Sequence, residues 1–396
     1  MREETGLDDL AEQFRRFAAG VRRDGAVRYA RICEGIASDE GLLELVAQAP
    51  PPQRRPNILL AAVHYLLLSG ADDPLAAYYP TVLAWRGADG ATAADPGAAD
   101  PFPPFATFSA RHHDDISHIV VSRATQTNEV GRCSAILPAL STIAARAHAP
   151  LALVDVGAAA GLNLLFDRYA YHYVYAADRV SHTHDHAPGR ARDDVDVLAG
   201  DPFSPVVLHC EVRAGRVPVA APSIAARVGL DRRPVDVRDD DQMRWLLACQ
   251  WPDHLDRFEV ARRALALARS LPDPPVVRRG DAVEDLAAVV ARLPFDAHLC
   301  VLHSWVAAYF TPDEQHALTA AIARLAETRP VSWLFAEIPY EVPGLPVPPP
   351  REKVRGATAL VLVEQAPGRD RTERRLADMH SHGRWLHWYG ASGASS

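Results

Sequence analysis

Leu153-Val154-Asp155-Val156-Gly157-Ala158-Ala159-Ala160-Gly161-Leu162-Asn163 is an apolar run that ends in a turn of glycine and alanine and continues into a helical pattern in which Leu164, Leu165 and Phe166 can face the sheet. Valine and leucine around a single acid read as a buried strand. Small residues after such a strand let the backbone approach a ligand at its carboxyl end, where open α/β sheets bind. The spacing of the glycines narrows the ligand. A dinucleotide fingerprint needs Gly-x-Gly-x-x-Gly, but counting from Gly157 the second glycine position is Ala159 and the third is Leu162. A phosphate-cradling loop ends in Gly-Lys-Ser/Thr, and the stretch contains no lysine.

Outward from this stretch, apolar runs at 151–156, 225–230, 276–279, 298–303 and 331–338 alternate with helical patterns such as 284–292 and 312–327. Strand followed by helix, repeated, predicts an α/β domain with a mostly parallel, doubly wound Rossmann-like sheet. Several strand ends carry groups suited to chemistry: Asp231 after Arg227-Val228-Gly229-Leu230, Asp281 after Gly280, His303 before Ser304-Trp305, and Glu337 near the end of the fifth run. A carboxylate ending the second strand is where doubly wound proteins hold a ribose diol, because it accepts from both hydroxyls. Asp178 lies at the simpler spacing from the glycines and is the rival, but the apolar run leads straight into Asp231. Segment 171–222 breaks the repeat and predicts a β-rich insertion. Runs 358–364 and 384–389 predict an antiparallel pair on one sheet edge.

Residues 1–106 read as an N-terminal helical cap, and 107–396 as the α/β domain. Leu7, Leu10, Phe14, Phe17 and Val21 make one helical stripe, Pro56 opens an apolar helix containing His64, and 86–105 is a Gly, Ala, Asp and Pro connection. Asp239-Asp240-Asp241 reads as a helix cap, and His112-His113-Asp114-Asp115 as a polar helix start. Composition sets outer limits. Of 396 residues 48% are hydrophobic and 23% charged, which excludes a wholly disordered chain, and 42 basic against 50 acidic residues leave a net charge of -8. That charge argues against nucleic acid or an anionic membrane surface as partner and favours a small-molecule substrate. Five scattered cysteines and the lack of a long apolar run predict reduced thiols in a cytoplasmic, non-membrane protein. Oligomeric state is not legible here.

An acid two residues before the first glycine and another glycine four residues after it resemble the first motif of class I S-adenosyl-L-methionine (SAM)-dependent methyltransferases, Asp/Glu-x-Gly-x-Gly-x-Gly, with Ala159 in the middle position. The resemblance implies SAM as cofactor, held at Asp155, Gly157, Ala159, Gly161 and Asn163. It further implies Asp231 on the ribose, Asp281 on the adenine amino group, and a polar helix at Gln126–Arg132 roofing the site with Asn128 and Glu129. His303 lies where the general base for a hydroxyl acceptor would stand, with Glu337 second. The chain also resembles an uncharacterised bacterial family, domain of unknown function 2332. The matching stretches are Gln126-Thr127-Asn128-Glu129-Val130-Gly131-Arg132, GAAAGLNLLFDRY at 157–169, GLDRRPVD at 229–236, Arg244-Trp245-Leu246 with Trp251-Pro252, and His303-Ser304-Trp305. This second resemblance implies a methyltransferase-like sheet and no established reaction. Two other expectations stand beside methyl transfer: a ligand-binding protein without turnover, and a metal-dependent hydrolase using His182, His184 and His186, which alternate along the insertion.

Overall fold

The computed structural model describes residues 6–87, 94, 99–175, 196–350, 354, and 356–390. Two compact units are present, one of residues 1–127 with 236–262 and one of 128–235 with 263–396. Among the described residues no helix is long and apolar enough to cross a membrane.

The first unit is helical. Helix Leu7–Arg23 buries Leu10, Phe14 and Val21 on one stripe and starts with Asp8 and Asp9, acids that suit the positive end of a helix. Helix Pro56–Leu68 begins on a proline, whose missing N–H costs nothing at that position. Its His64 is fully buried between the Ala248 carbonyl, 3.0 Å from Nδ1, and the Thr81 hydroxyl, 2.8 Å from Nε2. Burial pushes this imidazole down to about 4, so it is a neutral core residue. Asp239 caps helix Asp240–Ala248 by accepting from the Asp241 and Gln242 N–H groups.

The second unit is built on one eleven-stranded sheet. Its strands are β1 Leu151–Val156, β2 Ala170–Tyr175, β3 Val197–Gly200, β4 Val207–Ala214, β5 Ile224–Asp231, β6 Val276–Arg279, β7 His298–Ser304, β8 Val331–Glu337, β9 Thr358–Gln365, β10 Thr372–Met379 and β11 Trp385–Trp388. They lie in the order β3-β2-β4-β11-β10-β9-β8-β7-β1-β5-β6. β6, β5, β1, β7 and β8 pair in parallel, as do β2 with β4 and β4 with β11. The fold is mixed α/β around a large, mostly parallel open sheet. After β1 the chain forms β2, β3 and β4 at the far end of the sheet, returns to add β5 and β6 on one side of β1, then crosses to add β7 and β8 on the other, so the order reverses between β1 and β7.

All six residues of β1 and all seven of β8 are buried, the near-continuous apolar pattern of strands covered on both faces. Val154, Val156, Leu230, Val301, Trp333 and Phe335 share a core with Leu286, Leu318 and Ile322 of helices Leu286–Val290 and Pro312–Ala326. Each such side chain contributes about 1.5–3 kcal/mol by leaving water. A capping box between Thr311 and Glu314 starts helix Pro312–Ala326.

Three expectations are corrected. Gln126–Arg132 does not form a helix: 123–129 is irregular and only Val130–Arg132 makes a 3-10 turn ahead of helix Cys133–Ala147. Asn128 and Glu129 spend their side chains on backbone N–H groups, which competes with helix formation. The glycine turn is followed by a 3-10 segment, Leu162–Arg168, kinked at Leu165, and not by an α-helix. Finally, 358–364 and 384–389 do not form an edge pair. The charged stretch between them is itself a strand, β10, which pairs with both β9 and β11 in the middle of the sheet. Arg375 turns inward there and is matched by buried Asp378, so a charged sequence fits a buried strand.

Candidate functional site

β1, β5 and β7 end together, and the glycine turn caps them. Gly157, Ala159 and Gly161 all have left-handed backbones, with φ of 73°, 50° and 72°. A Cβ on Gly157 would sit 2.3 Å from Val306 Cγ2, so that position needs glycine for space as well as for φ. Ala159 takes the same backbone region with a Cβ, at a cost of about 1–2 kcal/mol.

Side chains from elsewhere hold the turn in that shape. The Ala159 N–H donates to Asp231 Oδ2 at 2.8 Å, and the Arg233 N–H donates to Asp231 Oδ1 at 2.7 Å. Asn128 is buried, and its Oδ1 accepts from the Ala160 and Leu162 N–H groups, both at 3.1 Å. Glu129 Oε1 accepts from the Gly131 N–H at 3.2 Å, and Asn163 Oδ1 lies 3.5 Å from the Cys133 thiol. The structure thus brings Asn128, Ala159 and Asp231 together around one turn. Asp155 lies beneath it, buried, with Oδ2 lacking a hydrogen-bond partner among the described residues. Burial holds its carboxyl well above the usual range, the Asp231 charge adds to this, and Arg132 opposes it.

Asp281 belongs to a separate cluster. Its Oδ2 accepts from Arg232 Nε and Nη2 at 2.9 and 2.7 Å, and its Oδ1 accepts from the Val283 and Glu284 N–H groups at 2.8 and 3.2 Å. Burial works to raise this carboxyl, but those hydrogen bonds and the guanidinium outweigh it and hold it low.

His303 and Glu337 form the other constellation. His303 Nδ1 is 2.8 Å from Glu337 Oε1, which also accepts from the Val306 and Ala307 N–H groups at 2.9 and 3.1 Å. A carboxylate only accepts, so the neutral imidazole carries its proton on Nδ1 and leaves a lone pair on Nε2. That Nε2 is buried without a partner among the described residues, as is Glu337 Oε2. The ring stacks on Phe335 at 5.4 Å, and the His303 side chain is 0% exposed. His303 is in register with Val156 of β1, so strand alternation places it on the sheet face opposite Asp155. The acid of the glycine motif and the histidine therefore do not meet on one face.

Sequence reading passed over the support on the Asp155 side. Arg132 donates from Nη1 to the Ser304 carbonyl and hydroxyl at 3.0 and 3.1 Å, and from Nε to the Ser381 carbonyl at 2.9 Å. Its guanidinium also sits 5.4 Å from the Trp305 ring. The turn at 380–383 approaches closely because both sides are glycine. A Cβ on Gly131 would lie 2.3 Å from the His382 carbonyl, and one on Gly383 would lie 1.9 Å from that of Gly131. Nothing local in either segment signals the pairing.

His182, His184, His186 and Asp178 lie outside the described residues. Among the described residues no group of three or more His, Cys, Asp and Glu is arranged to hold a metal ion. A cavity of about 680 Å³ opens at the other end of the strands, beside Arg146, His298, Ser332 and Glu364, and includes none of the expected site residues. The chain belongs to the family described as "Uncharacterized protein conserved in bacteria (DUF2332)", which matches residues 11–388. No curated protein and no solved structure matches it.

Proposed function

We propose that this member of the family binds SAM at the carboxyl ends of β1 and β5 and transfers its methyl group to a small-molecule acceptor. The carrying observation is the turn after β1: three left-handed positions at alternate residues, pinned to Asp231 at the end of β5, beside the β1/β7 boundary where the strand order reverses. Open α/β sheets bind ligands at that switch point, and β6-β5-β1-β7-β8 has the 3-2-1-4-5 order of doubly wound nucleotide-binding sheets. The absence of an α-helix after the turn argues against a diphosphate, which would sit on a helix N-terminus.

The residues present suit SAM in kind. Asp231 ends β5 beside the turn, where a carboxylate can accept from both hydroxyls of a ribose diol. Asp155 is a buried carboxyl with an unmatched oxygen, and a nearby ammonium would favour its ionised form. Asp281 reaches an adenine amino group only by sharing the oxygens that hold Arg232 and the 283–284 turn. Bound there, SAM supplies an electrophilic methyl on a sulfonium. The chain's own task is to orient an acceptor and exclude water. For a hydroxyl acceptor, His303 Nε2 would take the proton, with Glu337 fixing the tautomer.

The complete burial of the His303 side chain favours a second reading, ligand binding without turnover. Calorimetry with S-adenosylhomocysteine tests the shared premise. The wild type should bind, and Asp231→Ala should weaken binding at least about tenfold, since hydrogen bonds to a charged acceptor contribute about 1.5–3 kcal/mol. No binding by the wild type refutes the SAM site, and unchanged affinity in Asp231→Ala refutes the ribose assignment. Transfer of labelled methyl to small molecules of a cell extract, lost in His303→Ala, supports catalysis; binding without transfer supports the second reading.

A further inference from the structure

Far along the sheet from the glycine turn, β2 and β4 pair in parallel with His172 directly opposite His209. The geometry points to a transition-metal site there: the two imidazoles hold one Zn²⁺ through their Nδ1 atoms, and water completes the coordination. The site does not depend on the SAM proposal.

Three observations converge on it. First, His172 Nδ1 and His209 Nδ1 face each other at 3.3 Å. Two nitrogens each about 2.0–2.1 Å from a tetrahedral ion are separated by about 3.3–3.4 Å, so the spacing is that of two ligands on one Zn²⁺. Second, the far nitrogen of His172, Nε2, lies 2.7 Å from Asp196 Oδ2. A carboxylate accepts only, so Nε2 carries the proton and the lone pair of His172 is on Nδ1, toward His209. A carboxylate behind the far ring nitrogen is the usual support of a metal-bound histidine. Third, the pair stands on the open side of these strands. β4 alternates exposed Val207 and His209 with buried Leu208 and Cys210, and His172 is on the open face of β2. Water therefore has access to the remaining coordination positions.

Without an ion, the two Nδ1 atoms share at most a long N–H···N contact, with one ring donating to the other. With both Nδ1 atoms unprotonated, two lone pairs converge on one point, which suits a cation. Imidazole suits zinc, copper and nickel far better than magnesium or calcium. Since Asp196 immediately precedes β3, one ion would cross-link β2 to β4 and brace β3 through His172.

The test is Zn²⁺ titration of the full chain by calorimetry, with thermal melting in the presence and absence of Zn²⁺. Wild type should bind one equivalent in the micromolar range, and Zn²⁺ should raise the melting temperature, reversibly with chelator. His172→Ala and His209→Ala should each weaken binding at least tenfold and abolish the thermal shift. Asp196→Asn, which keeps both ligands, should weaken binding about 10–100-fold. Far-UV circular dichroism confirms that each variant is folded. Wild-type failure to bind at millimolar Zn²⁺ would overturn the site, as would affinity unchanged in folded His172→Ala and His209→Ala.

Discussion

Asn128→Ala isolates what holds the glycine turn. The side-chain oxygen accepts from two N–H groups, Ala160 and Leu162, and all three residues are buried, at 4%, 2% and 0% exposure. Alanine removes the acceptor and leaves two buried donors unmatched. Each costs about 1–3 kcal/mol, so the second unit should lose about 2–6 kcal/mol, a large share of the roughly 5–15 kcal/mol that holds a domain together. A water molecule entering the space left by the amide would bring the loss toward the lower figure. Urea unfolding followed by circular dichroism and tryptophan fluorescence provides the measurement. Trp305, Trp333, Trp385 and Trp388 belong to the second unit, whereas Trp85, Trp245 and Trp251 belong to the first. The transition of the second unit should fall by about 1–2 M urea at unchanged slope, for a slope of about 2–3 kcal/mol/M. A shift below about 0.3 M would show that those N–H groups find other partners at no cost, and the account of Asn128 as the keeper of the turn would fail.

Two further perturbations probe the same region. In Gly157→Ala the left-handed backbone costs about 1–2 kcal/mol and the collision with Val306 adds about 1–3 kcal/mol of overpacking. In a Val306→Ala background only the backbone cost should remain, and equal losses in both backgrounds would show that the collision is not the cause. Asp155, with its carboxyl raised by burial, binds its proton more tightly folded than unfolded. Its contribution is complete below the unfolded value of about 3.9 and is lost as pH rises toward the folded value, by up to about 1.4 kcal/mol per pH unit. Asp155→Asn removes that dependence, so the stability of the variant relative to wild type should climb between pH 5 and 8. A pH-independent difference would mean that Asp155 is ionised in the fold.

The parallel strands were legible as apolar runs: β1, buried along its whole length, and β6, an exposed edge strand, both match theirs residue for residue. β10 was not, since Thr372-Glu373-Arg374-Arg375 reads as solvated until Asp378 is seen to balance Arg375 in the interior. The glycine turn and Asp231 were found because an apolar run ends at each. Their shared hydrogen bond depends on β5 lying next to β1, which follows from topology and not from either segment. Asn128 was singled out as a polar residue near the site, but its task could not be read: the sequence pattern indicated a helix, whereas the side chain serves a loop more than thirty residues downstream. The Arg132 anchorage and the Gly131–Gly383 contact involve residues distant in the chain, and no periodicity links them.

The strand order also constrains how the molecule is made. β3, β2 and β4 join the remaining eight strands through β11 alone, which pairs with β4 on one side and β10 on the other. β11 is also the last strand among the described residues. During synthesis, β4 therefore emerges long before the partner that covers its edge, and an unpaired edge is a template for association with other chains. The newborn chain carries this exposed edge until β11 has emerged and docked, so the speed of that docking sets how long the edge stays open to other chains.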